Sequence, residues 1–209
     1  MIASGQRGVS LLIVLIMLVV IGLTSAASLR SASSNERISN NFRMHALAEQ
    51  YAEAALRYCE TQLTLADGSR VDSLKEASLQ AFNGAAYPAW ANPLTWTGAG
   101  GAYLSLTSVP EAVVKSADSA FKPTRLPQCA VERLSIPLTL NAQPAGAADI
   151  YVITTRGFST DYSASPQGVS LTGSVVWLQS MVSVRRAAAG EAGTLADRVW
   201  RRIINPPVS

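Results

Sequence analysis

Gly8 to Leu29 reads GVSLLIVLIMLVVIGLTSAASL, 22 residues without Asp, Glu, Lys or Arg, bracketed by Arg7 and Arg30. About 20 apolar residues at about 1.5 Å rise each cross a hydrocarbon core of about 30 Å as one helix. In lipid the backbone must bond to itself, so an inserted run of this kind is helical. Two ordinary readings are open. One is a plain membrane anchor. The other is a cleaved secretory signal with Thr24-Ser25-Ala26-Ala27-Ser28 as its small-residue cleavage site, although Val9 to Leu23 is at the upper limit of length for its apolar part.

A third reading comes from the residues at the start of the run. Gln6-Arg7-Gly8 followed by Val9-Ser10-Leu11-Leu12 resembles a prepilin signal, in which a short leader ends in Gly directly before the apolar helix. The resemblance implies that residues 1–8 are a leader, that a prepilin peptidase cleaves between Gly8 and Val9, and that the new amine is methylated. Arg7 and the amino terminus favour a cytoplasmic start by the positive-inside rule, and Arg30 on the far side weakens that asymmetry. The orientation therefore rests in part on the resemblance.

The run is followed by helix-forming sequence. No Gly occurs between Gly22 and Gly68, and no Pro before Pro88; these two types most disfavour a helix interior. The pattern predicts one helix from Val9 to Leu65, apolar over residues 9–29 and amphipathic over residues 30–65, with Gly68 as its C-terminal cap. Met44, Ala48, Ala52, Ala55, Cys59 and Leu63 recur every three or four positions and so share a face. Arg43, Glu49, Glu53, Arg57 and Glu60 are expected on the other faces. Within this stretch, Glu36-Arg37-Ile38-Ser39-Asn40-Asn41 and Ala48-Glu49-Gln50-Tyr51-Ala52-Glu53-Ala54-Ala55-Leu56-Arg57 resemble the "ER-x-x-x-N" and "A-x-Q-x-A-E-A-A-L-R" sequences of PilX-type minor pilins of type IVa pili.

The remaining chain predicts a single head of residues 66–186 and a tail of residues 187–209. The whole sequence is 48% hydrophobic with a net charge of +3, so the head has apolar side chains enough for a core. That slight excess, without clustered Lys and Arg interleaved with aromatic residues, argues against a nucleic-acid surface. Ser73 to Phe82 suits a short helix. Gly84 to Gly101, with Pro88, Trp90, Pro93 and Trp96, carries loop signals, and its aromatic side chains are expected to fold back over the core. Leu134 to Leu140 alternates as a half-buried strand does, and Pro137 puts it at an edge. Asp149 to Phe158 and Ser174 to Val184 are rich in β-branched and aromatic residues and predict neighbouring antiparallel strands on the amphipathic helix, with Ser159 to Gly173 as the turn between them. Tyr151 to Gly157 and Val175 to Ser180 also resemble the last strands of PilX-type heads. In the tail, Thr194 to Ile204 fits a short helix with Leu195, Val199 and Ile203 on one face, flanked by Trp200 and Ile204 and opposed by Arg198, Arg201 and Arg202. So short a helix must dock, either on its own head or on another subunit, which makes Leu195, Val199, Trp200, Arg201, Arg202 and Ile203 candidate partner-binding residues.

No catalytic constellation is legible. His45 is the single His, and the sequence has no P-loop, GxSxG, HExxH or EF-hand pattern. No cofactor or metal is therefore expected, and the chain reads as a non-enzyme. Cys59 and Cys129 are the two cysteines. An oxidising compartment would favour a disulfide between them, the alternative being two buried thiols.

The PilX-type resemblance implies an α+β type IV pilin fold, in which the long N-terminal helix packs on an antiparallel β-sheet head. It also implies a place in the inner membrane with a periplasmic head before assembly, and later in the pilus tip. Implied partners are other minor pilins, the major pilin, a tip adhesin and the prepilin peptidase, with Val9, Ser10, Leu11, Leu12 and Ile13 packing in the membrane or filament core. Most pilins carry Glu at the fifth mature position, where this chain has Ile13. A carboxylate buried in lipid is costly unless paired, so its absence implies a subunit that needs no such pairing with a neighbour. This fits a subunit that primes assembly and stays at the tip, supporting adhesion and twitching motility. A minor pseudopilin of a type II secretion system and a single-pass envelope protein with a periplasmic binding domain remain the alternatives.

Overall fold

The computed structural model describes residues 9–82, 88–97, 106–114, 122–135, 148–165 and 169–207. Helix α1 covers Val9–Thr64, as the absence of Gly and Pro predicts to within one residue of its expected end. Strand β1 is Gln80–Phe82, helix α2 Pro93–Thr97, β2 Leu106–Ser108, β3 Gln128–Leu134 and β4 Asp149–Phe158. They are followed by β5 Ser163–Ala164, β6 Ser170–Thr172, β7 Val175–Arg186 and β8 Gly193–Arg202. The class is α+β, with a long apolar N-terminal helix and a mainly antiparallel sheet.

Two units divide the chain, residues 1–43 and 44–209. In the second, the main sheet runs β1-β3-β4-β7-β8, with β2 also pairing β3. All ladders in it are antiparallel except β1 with β3. Residues 44–64 of α1 cover one face. Ala48, Ala52, Ala55, Cys59 and Leu63 are each 0% exposed, so the predicted inner face is the buried one. Opposite them lie the alternate residues Cys129, Val131, Tyr151, Ile153, Val176, Leu178, Val182 and Val184. The small side chains let the helix come close. Thr155 Oγ1 donates to the Ala52 carbonyl at 3.1 Å, and Gly157 lies directly beneath Ala48 and Ala52.

The other face of the sheet has its own cover. Residues 88–97 of the Gly/Pro/Trp-rich stretch do fold back: Trp96 is 1% exposed, its ring meets Trp177 edge-on at 4.6 Å, and its Nε1 donates to the Trp90 carbonyl at 2.8 Å. Arg156 lies among these rings, with its guanidinium 5.0 Å from Trp96, 5.2 Å from Phe158 and 5.5 Å from Trp177. It donates to Gln128 Oε1 and to the Trp96 carbonyl. Burial and the nearby Arg125 charge push this guanidinium down to about 9, which leaves it a cation at neutral pH.

Several expected elements differ. Ser73 to Phe82 is not a helix: it holds 3-10 turns at Asp72–Leu74 and Glu76–Ser78 and then β1, which gains ladder bonds from β3 that an isolated short helix would lack. Of the strand expected at Leu134 to Leu140, Leu134 is the last residue of β3 and Ser135 lies outside it, while residues 136–140 lie outside the described ones. The turn of Ser159 to Gly173 contains the β5–β6 hairpin. The expected tail helix of Thr194 to Ile204 is instead strand β8, paired antiparallel with β7 from Leu178↔Arg202 to Arg186↔Gly193. The fourfold spacing of Leu195, Val199 and Ile203 is helical, but eleven residues make too short a helix to hold alone, and β7 offers a full ladder.

Gly68 does not cap α1 either. It lies in a 3-10 turn, Asp67–Ser69, and guanidinium groups close the helix instead. Arg70 Nη2 donates to the Leu63 carbonyl at 3.2 Å and its Nε to the Leu65 carbonyl at 3.2 Å, and Arg186 Nη2 also reaches the Leu63 carbonyl. These cations satisfy carbonyls that a helix end leaves without partners, and they sit at its negative pole. Glu76 anchors Arg70 in turn. Its Oε1 accepts from Arg70 Nη1 at 3.0 Å and from the Tyr151 hydroxyl at 2.5 Å, and its Oε2 faces Arg133 Nη1 at 3.4 Å.

Burial alone would raise the Glu76 carboxyl, but the bonds from Tyr151 and Arg70 and the charges of Arg70 and Arg133 outweigh it and hold it below the usual range. A depressed folded pKa supplies stability above the unfolded value of about 4.3, and that stability is lost as pH falls through the folded value. Glu76→Gln should thus cost about 1–2 kcal/mol at pH 7. The gap to the parent should close between pH 5 and pH 3 in denaturant titrations. A gap that stays constant over that range would show that the charge is not what Glu76 contributes.

Candidate functional site: the apolar helix and the face of strand β8

The first candidate surface is the apolar part of α1. From Leu11 to Leu29 its large apolar side chains are between 48% and 72% exposed, and Ile13 is the least exposed of them. Its most apolar 18-residue window has a mean hydropathy of 2.7 and none of it is buried, so α1 contains a segment long and apolar enough to cross a membrane. A surface of this kind is stable only when something apolar covers it. Ser10, Leu11, Leu12 and Ile13 lie in its first turns, with Val9 at the start of the helix. Gly8, expected with Val9 to form the processing site, lies outside the described residues.

The second candidate is β8. Leu195, Val199, Trp200, Arg201 and Arg202 do lie on one element, but strand geometry sorts them differently from a helix. Val199 and Arg201 stand beside Met181 and Gln179 on the sheet face turned away from α1. Arg198, Trp200 and Arg202 stand beside Val182, Ser180 and Leu178 on the face towards α1. Leu195 lies beyond a bulge opposite Ser183 and Val184, which leaves Ala196 without a partner residue. Ile203 follows the strand; its N–H donates to the Trp177 carbonyl at 3.0 Å, and it packs on the Trp96–Trp177 cluster, so it belongs to the core.

On the α1 side, Glu60 is a residue that the sequence placed wrongly. Expected on a solvent face, it is 7% exposed and accepts from Ser180 Oγ at 2.9 Å and from Arg198 Nη1 at 3.1 Å. Helical periodicity put it beside Arg57; only the presence of β7 and β8 buries it. Arg202 approaches Glu49 at 4.0 Å and His45 Nε2. Arg57 and Glu53 form an exposed pair at 3.8 Å, which contributes little.

On the outer face, a groove of about 510 Å³ lies where the Trp90–Trp96 cover ends. Its floor is apolar, with Leu134, Val152, Met181 and Val199; Trp90 lies along one side, and β8 from Val199 to Arg201 borders it. Polar groups along the groove are already engaged. Arg201 Nε donates to Gln179 Oε1 at 2.9 Å, and Gln179 Nε2 donates to Thr154 Oγ1 at 2.9 Å. Glu132 accepts from the backbone N–H of Ala89 at 2.6 Å and of Trp90 at 3.2 Å; burial pushes its carboxyl up against the pull of those two bonds. Among the described residues no three His, Cys, Asp or Glu side chains converge as a metal ion would need.

Cys59 on α1 and Cys129 on β3 form a disulfide, both 0% exposed. It ties the helix to the sheet at the centre of the larger core cluster. No protein-family model, no curated protein and no solved structure matches this chain.

Proposed function

We propose that the chain is a minor pilin of PilX type, a type IV pilin fold whose leader is removed at Gly8 and whose apolar helix holds it in the inner membrane until it joins a pilus. One observation carries the reading. The helix that begins as an exposed, bilayer-length apolar run ends, at residues 44–64, as the inner layer of an α+β head. A plain anchor needs no such union, because a flexible linker would serve. In a pilin, one helix does both jobs: its apolar part packs in the filament core and its amphipathic part carries the head. The disulfide supports a head that matures in an oxidising compartment such as the periplasm. Ile13 in place of a carboxylate suits a subunit that primes assembly and stays at the tip with other minor pilins ahead of the major pilin. Contact with an adhesin and support of twitching motility follow from that position.

Mass spectrometry of the chain purified from membranes tests this. The mature form should begin at Val9 with a methylated amine. Gly8→Val should block maturation and leave the protein heavier by residues 1–8, because a side chain would enter a cleavage pocket shaped for Gly. An intact N-terminus in the parent protein would reduce α1 to an anchor and overturn the pilin reading.

A further inference from the structure

Strand β8 ends the main sheet, and among the described residues it pairs only with β7. An edge of this kind presents backbone donors and acceptors, which proteins usually blunt. The bond from Ile203 N–H to the Trp177 carbonyl sets the phase of the ladder. Hydrogen-bonded pairs alternate in antiparallel strands. Val199 and Arg201 thus turn their backbone groups to β7, while Arg198, Trp200 and Arg202 turn theirs outward.

The first half of the edge is blunted. The Asp197 carboxylate accepts from the Arg198 N–H at 2.7 Å, and the bulge at Ala196 breaks the line before it. At Trp200 and Arg202 the described residues offer the outward N–H groups no such acceptor. Val199 is 66% and Trp200 59% exposed at the same place.

We propose that this second half of β8 is a docking edge for an extended segment of a different protein, one bearing carboxylates at alternate positions, which adds as a further strand. The charges select the occupant. Gly193–Arg202 carries three Arg and one Asp. Two copies of β8 paired antiparallel about Trp200 would set Arg198 opposite Arg202 twice, and like charges directly opposite are unfavourable. A carboxylate opposite Arg198 or Arg202 meets a guanidinium that is 46% exposed despite its pair with Glu60 or Glu49. An apolar residue opposite Val199 would extend the floor of the outer groove. The proposal does not rest on the pilus reading, and its test needs only the purified chain.

The full chain in detergent micelles is titrated with a fluorescein-labelled peptide of alternating Glu and Val, and with a matching Lys and Val peptide. The acidic peptide should bind at least tenfold more tightly and slow hydrogen exchange at the Trp200 and Arg202 amides. Trp200→Pro removes an N–H that faces away from β7, so it should leave the thermal melt unchanged and weaken binding at least tenfold. Should Trp200→Pro fail to fold, Arg202→Glu, at a half-exposed pair, should reverse the preference between the two peptides. Equal binding of both peptides, or full binding by Trp200→Pro, overturns the proposal. Self-association of the chain that Trp200→Pro abolishes would also overturn it and give the edge to a second copy.

Discussion

Gly157→Ala should come close to unfolding the head, although it adds one methyl group. A Cβ at this position would lie 2.1 Å from the Ala48 carbonyl oxygen, 2.3 Å from the Ala52 nitrogen and 2.9 Å from the Ala52 Cα. All three are backbone atoms of α1, so no rotamer change relieves the clash. The helix would have to lift by about 1 Å to restore van der Waals contact. That lift would open the packing of Ala48 and Ala52 on Val176 and Leu178 and stretch the bond from Thr155 to the Ala52 carbonyl. Overpacking against rigid neighbours typically costs about 1–3 kcal/mol and sometimes more, and the lost layer adds to it, for an expected total of about 3–5 kcal/mol. Against a total stability of about 5–15 kcal/mol, that is a large fraction. Gly68→Ala is the control: a Cβ there meets nothing within 4 Å, and the change should be neutral or slightly stabilising. Urea titrations of both variants in detergent decide the matter. If Gly157→Ala unfolds at the parent midpoint, the close approach of α1 to β4 is wrong.

Gly157 also marks what the sequence could and could not tell. The inner face of α1 was legible because small residues recur there at helical spacing, and a face of Ala with Cys and Leu has no other use than close packing. Strands β4 and β7 were legible because β-branched and aromatic residues fill both faces, and both faces of the sheet are in fact covered. The fold-back of Trp96 was legible from its company of Gly and Pro. The tail was not. Strand β8 sits at an edge with most of its side chains exposed, so no buried face imposes a period of two, and the chance spacing of Leu195, Val199 and Ile203 imitates a helix. The only signal that could have found it is the run Val199-Trp200, a β-branched and an aromatic residue together.

Buried charge was the other gap. Glu60, Arg70, Arg156 and Arg186 are all less than a tenth exposed. Three of them are held by partners far away in the chain: Ser180 and Arg198 for Glu60, Gln128 and the Trp96 carbonyl for Arg156, and the Leu63 carbonyl for Arg186; Arg70 is held locally, by the Leu63 and Leu65 carbonyls and Glu76. Local pattern assigns a charged residue to solvent by default, and only long-range pairing reverses that. The same holds for the candidate surface. The residue types on β8 pointed to a contact, but which of them share a face depends on the strand.

Removing the disulfide should cost nearly as much as the Gly157 change, by a different route. Cys59 and Cys129 lie 70 positions apart. Closing a loop of that length removes, in the chain-entropy account, about 4 kcal/mol from the unfolded state. The loop holds the 3-10 turns, β1, α2 and β2, whose strands have three residues each and cannot hold themselves to the sheet. Cys59→Ala with Cys129→Ala should therefore lower the melting temperature by roughly 10–15 °C, at about 2–4 °C per kcal/mol for a chain of this size. The parent protein unfolded in reductant should lose nearly the same amount, because in both cases the denatured chain regains its freedom. On non-reducing electrophoresis the parent should run faster than its reduced form, and the double variant should show no such difference. Residual cost in the variant beyond that in the reduced parent measures the cavity left by two buried sulfurs, expected at about 1 kcal/mol. Melting curves of oxidised and reduced parent that coincide would mean that the cross-link constrains nothing the fold does not already hold.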